Sequence, residues 1–238
     1  MISAEGKSIG HPAVVLACLS LASGCTDVLT FAKLGEVFTS AMTGNTALLG
    51  IAIGRGQMLA ASRSLTALFG FVAGAAAAAL IYNLARTETR IGAGLRRLLA
   101  IEIICLFAGT VLWSLSGDPL PPGQLYTIIL LSAFSMGIQG IAAQRISSSG
   151  ISTIVFTSAL IRIVTSVTGT LMHLAGAADA HVSTKGHLAT FAAYAGGAAL
   201  TGILVSRDIG LLKWIPVAAV LLAFGLSLLP ASAEETEN

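Results

Sequence analysis

The chain has 238 residues, 55% of them hydrophobic and only 10% charged, with a mean hydropathy of +0.88. A soluble domain carries roughly 25% charged residues, so a water-soluble globular protein is excluded and an integral membrane protein is what remains. A net charge of +2, with no aromatic interleaving among the basic residues, gives no footing for nucleic acid.

Crossing a hydrocarbon core about 30 Å thick takes about 20 helical residues. Eight apolar runs approach that length, at 12–31, 37–54, 59–83, 97–116, 124–143, 151–175, 187–206 and 211–230. They are continuously apolar, whereas barrel strands would alternate, so the predicted fold is all-α: a polytopic transmembrane helical bundle forming one integral membrane domain over residues 1–238. The first run carries Cys18 and Cys25, which with Cys105 read as small buried hydrophobes, and it carries Asp27. A carboxylate at membrane depth costs several kcal/mol unless paired, protonated or watered. Asp27 therefore reads either as an interfacial residue near a helix end or as an ion or proton carrier.

The second run is short of apolar residues and contains Met42-Thr43-Gly44-Asn45. Such a stretch interrupts a helix and turns backbone N–H groups and an amide toward a lined cavity, or it lets helices approach closely. The third run holds Gly70 and Gly74, a GxxxG pair suited to close helix contact, echoed by Gly196, Gly197 and Gly202 in the seventh. Arg86, Arg90, Arg96 and Arg97 follow and are expected on the cytoplasmic side. Glu102, five residues after Arg97, reads as an interfacial charge. Gln139 and Gln144 in the fifth run either line a path or bond neighbouring helices. The sixth run is again polar and has Arg162 near its centre, where the guanidinium suits an anion or an ion pair with Asp27 or Glu102. His173, His181 and His187 lack ligand spacing, so no metal or cofactor is expected.

Because the second and sixth runs are polar, the chain crosses eight times at most and six times if both are re-entrant. Eight crossings put both termini outside, and six put them in the cytoplasm. The Pro- and Gly-rich loop 116–123 divides the chain into halves of about 10–116 and 124–230. Val37-Phe38-Thr39-Ser40-Ala41 recurs as Val155-Phe156-Thr157-Ser158-Ala159, and Gly70 to Gly74 is set against Tyr194 to Ala198. Repeated halves are common in transporters, with the site near the midplane between them.

Gly24-Cys25-Thr26-Asp27, Val37-Phe38, Met42-Thr43-Gly44-Asn45, Gly70-Phe71-Val72-Ala73-Gly74 and Met136-Gly137-Ile138-Gln139 together resemble the YoaK-type bacterial membrane proteins. The resemblance spans nearly the whole chain and implies a multi-pass plasma (inner) membrane protein of about six spans, with no reaction attached. It also implies a repeat register in which Gly24 matches Gly137, Thr43 matches Thr157 and Asp27 faces Gly140. The chain departs from the family pattern at Gly140 and at Thr157-Ser158, where relatives often carry Asn and Thr-Gly.

No phosphate loop, acid pair or nucleophile-base order is present, so no enzyme is expected. The leading expectation is a small-solute transporter or channel, with an anion favoured. Its polar midplane site would comprise Asp27, Thr43, Gly44, Asn45, Gln139 and Arg162, its surroundings the lipid bilayer, and homo-oligomers are allowed. The alternative is a non-transporting scaffold that packs with other membrane proteins through its Gly/Ala-rich faces.

Overall fold

A computed structural model describes residues 12–85, 91–117, 119–146, 164, 168, 177–207 and 209–229. The described residues contain seven α-helices and no strand. These are α1 (Pro12–Lys33), α2 (Met42–Gly54), α3 (Met58–Ala85), α4 (Ile91–Leu115), α5 (Pro122–Ile146), α6 (Ala177–Val205) and α7 (Ile215–Leu228). A 3-10 helix over Gly210–Trp214 leads into α7. Prolines open α1 and α5, where the missing N–H costs no helical bond. The turn that follows α1 passes through Gly35, whose φ of +86° favours a residue without Cβ. Among the described residues six segments are long and apolar enough to span a bilayer, and the 13-residue α2 is not one of them. Phe69, Val72, Ile104 and Phe107 are exposed on the outer faces of α3 and α4, as helices bathed in lipid require.

One end of the bundle settles the path of the chain. The C-terminal ends of α1, α4 and α6 and the N-terminal ends of α3, α5 and the 3-10 helix all line one cavity there, through Lys33, Ser114, Val205, Arg63, Leu125 and Gly210. α1 therefore arrives where α3 departs, and α2 returns the chain to the side it came from. The second run is re-entrant, and the same reasoning shows that the chain leaves α5 and enters α6 at the opposite end. Residues 151–175, the sixth run, lie almost wholly outside the described residues.

The halves run in opposite senses and interlock. A Cβ on Gly24 of α1 would strike the carbonyl of Tyr194 and the amide of Ala198 on α6; a Cβ on Gly137 of α5 would strike those of Phe71 and Ala75 on α3. Reciprocally, Gly197 abuts the carbonyl of Leu21 and Gly74 that of Phe134. Gly24 stands to Gly137 as Leu21 does to Phe134, so the register relating α1 to α5 is the one in which Asp27 faces Gly140. For α3 and α6 the small-residue match shifts by one, with Phe71 rather than Gly70 equivalent to Tyr194. Ser23 Oγ donates to Met136 Sδ at 3.8 Å, and these two are counterparts 113 residues apart. A position and its own repeat equivalent touch only beside a symmetry axis, so the pseudo-two-fold axis passes between α1 and α5.

Candidate functional site

Asp27 lies six residues before the end of α1, about 9 Å down the helix at 1.5 Å per residue. The segment after α1 dips back to that depth. Asp27 Oδ1 accepts from the N–H of Thr39 at 2.8 Å, the N–H of Ser40 at 2.7 Å and Thr39 Oγ1 at 3.2 Å. Its Oδ2 accepts from Ser40 Oγ at 2.6 Å and from the Tyr194 hydroxyl at 2.8 Å. Five donors converge on a side chain 1% exposed, which suits an acceptor-only carboxylate and replaces the water it gave up. The pseudo-symmetric counterpart of the Asp27–Tyr194 pair is Gly140 with Phe71. That pair has neither acceptor nor donor, so the latch belongs to one half only.

Asn45 holds the same segment from the other side. Its Oδ1 accepts the Phe38 N–H at 2.9 Å and its Nδ2 donates to the Phe38 carbonyl at 2.6 Å, so one side-chain amide brackets both backbone groups of one residue. The Phe38 ring stacks on Phe31, with centroids 4.9 Å apart and planes at 20°. A Cβ on Gly44 would come within 2.9 Å of that ring, which is why glycine precedes the asparagine. Thr43 is exposed on α2. Asn45→Ala is expected to lower stability by about 1–3 kcal/mol, because two backbone groups lose partners in a dry place. Thermal unfolding in detergent measures it, and an unchanged midpoint would show the bracket to be idle.

Gln139 is fully buried on α5, and its Nε2 donates to the Leu19 carbonyl at 2.9 Å and to Ser23 Oγ at 2.6 Å. It ties α5 to α1 beside the pseudo-axis. Arg162 lies outside the described residues. The structure thus brings Asp27, Gly44 and Asn45 together around one re-entrant segment, with Gln139 on a different seam and Thr43 facing out.

The open space lies elsewhere. A cavity of about 500 Å³ at the end of the bundle is lined by Lys33, Arg63, Trp113, Ser116, Leu120 and Lys213, among others. That volume falls in the range of small-molecule sites. Among the described residues no Asp or Glu lines it, and Arg63 Nε is buried without a hydrogen-bond partner. Glu36 is exposed and is not part of the lining; Asp118 and Asp208, adjacent in sequence to lining residues, lie outside the described residues. Trp113, Leu29 and Lys213 also line a second, deeper pocket of about 20 Å³ with Thr26, Leu106 and Thr110. The cavity therefore narrows inward to roughly the room of one water. Sequence reasoning missed Arg63 and Lys213 because each sits near the end of an apolar run, where a lone basic residue usually marks only the membrane interface.

A family model described as "Protein of unknown function (DUF1275)" matches residues 15–228. The chain is similar to the UPF0700 transmembrane protein YoaK of Bacillus subtilis (strain 168), with 37% identity over 157 residues, which is 66% of this chain and 68% of that protein. No solved structure matches.

Proposed function

Since the chain belongs to the DUF1275 family and is a multi-pass protein of the bacterial plasma membrane, we propose that it moves a small anion across that membrane, as a carrier or channel. The observation that carries this reading is the cationic cavity. Lys33, Arg63 and Lys213 line a concave space at one end of an inverted-repeat bundle, and Arg63 Nε, buried there without a hydrogen-bond partner, offers a carboxylate, phosphate or similar anion a group to bind. Inverted repeats suit the reading, since such folds place solute sites between the halves and alternate their access. Of the glycines expected to serve a scaffold, Gly70, Gly74 and Gly197 are spent on contacts within this chain, whereas nothing lies within 4 Å of a Cβ at Gly196 or Gly202. The solute is moved and not converted.

Uptake of chloride, nitrate, phosphate and sulfate into proteoliposomes tests the reading. Arg63→Gln and Lys213→Gln are each expected to weaken half-saturation about tenfold, equivalent to about 1.4 kcal/mol of lost attraction. Asp118→Asn and Asp208→Asn should leave uptake unchanged or raise it. Arg162→Ala examines the arginine of the sixth run in the same assay. Transport of none of the four anions, or transport indifferent to both cavity substitutions, would overturn the proposal.

A further inference from the structure

Glu102 is placed where a carboxyl has no structural task. The sequence suggested an interfacial charge, but α4 begins eleven residues earlier, and Glu102 lies midway along its 25 residues. It is 0% exposed, and neither carboxyl oxygen has a hydrogen-bond partner. Leu98, Leu99 and Leu106, one turn away on either side, are buried in the apolar core. Among the described residues nothing there rewards a negative charge, and an isolated carboxylate in such surroundings costs several kcal/mol, a cost that binding a proton removes. Glutamine or leucine would fill the same space without that requirement.

The stripe on which it stands leads to the cavity. Leu106, Gly109, Thr110 and Trp113 of α4 line the small inner pocket, and Trp113 also lines the large cavity. Glu102 is the next position inward on this i, i+4 row, about 6 Å of helix beyond Leu106. On α4 itself the titratable and charged groups are Arg96, Arg97 and Cys105. Among the described residues the elements packed against α4 are α3, α5, α7 and the 3-10 helix. They bring Arg63 and Tyr82, Tyr126 and Arg145, none, and Lys213 respectively. Those on α3 and α5 stand within about two turns of a helix end, and Arg145 is occupied over the Tyr82 ring at 4.5 Å.

We propose that Glu102 is a proton-binding site at the inner end of this route, and that anion movement is coupled to protons through it. The coupling rests on the carrier reading above, whereas the proton site rests on the burial of Glu102 alone. When the inner pocket opens to water on one side, the acid gives its proton to that water. The resulting carboxylate takes a proton from the other side before the bundle closes around it again.

Two measurements on the full chain in liposomes test this. Infrared spectroscopy should show the carbonyl stretch of a protonated carboxyl in the parent, missing in E102Q, which keeps the shape of the neutral acid. A pH gradient of one unit should concentrate the anion up to about tenfold per coupled proton in the parent, while E102Q exchanges anion without responding to the gradient. Absence of the band from the parent, or its survival in E102Q, overturns the proton site. Uptake indifferent to pH, or driven equally in E102Q, overturns the coupling and leaves the carrier reading standing. Uptake of no anion overturns both the carrier and the coupling, and the infrared result then judges Glu102 by itself.

Discussion

Asp27→Ala should release the re-entrant segment and cost roughly 3–5 kcal/mol of stability, the largest loss expected from any single polar substitution in this bundle. Five donors lose their acceptor at once, two of them backbone N–H groups of the buried residues Thr39 and Ser40. Interhelical hydrogen bonds in membranes average only about 0.6 kcal/mol each, but here all five share one carboxylate and one loop, so their loss is concerted. Tyr194→Phe removes a single donor, reproduces the Phe71 of the other half, and should cost about 1 kcal/mol. Ser40, 3% exposed, gives a second readout. A cysteine introduced there should resist an aqueous thiol reagent in the parent and react readily once Asp27 is alanine. A D27A protein as stable as its parent, with the cysteine still shielded, would mean that the carboxylate does not hold the segment.

Gly74→Leu is expected to prevent assembly of the bundle. Its side chain would occupy the place of the Phe134 backbone, which cannot swing aside as a rotamer can, so α3 and α5 would have to separate along their whole crossing. The cost should exceed about 3 kcal/mol, enough to abolish accumulation of monodisperse protein. Gly24→Leu should behave alike because it meets the Tyr194 backbone in the equivalent place. Gly196→Leu and Gly202→Leu provide controls of the same chemistry, since nothing lies within 4 Å of either position. Size-exclusion profiles in detergent separate the two groups. Equal yields from all four variants would refute the close crossings.

Much of the architecture was legible because hydrocarbon imposes length and apolarity on every crossing, and the spans in the described residues fall on apolar runs. Polarity also marked the second run as one that need not cross and could be broken or re-entrant, although it could not say what holds such a segment in place. Asp27 and Asn45 stood out since polar groups at depth need partners, but those partners, Thr39, Ser40, Tyr194 and the Phe38 peptide, come from up to 167 residues away in the chain. Sequence spacing does not display such contacts. The expected midplane hollow around Asn45 is a filled hydrogen-bonded knot, and the cavity opens instead at the bundle end. Its lining comes from four separate stretches of the chain, 29–35, 63, 113–125 and 205–213. Glu102 was misjudged through a boundary error: a helix start placed six residues late turned a central position into a peripheral one.

The reciprocal glycine crossings limit how this protein can move. Each crossing joins a helix of the first half to one of the second, α1 with α6 and α3 with α5, so the repeats are woven into each other like the fingers of clasped hands. Rocking one repeat as a block against the other would tear both crossings apart. The cheaper motion keeps each woven pair rigid and slides one past the other along the α1–α5 seam, where Gln139, Ser23 and Met136 meet. Any switching between inward and outward faces would then turn on that narrow line of contacts.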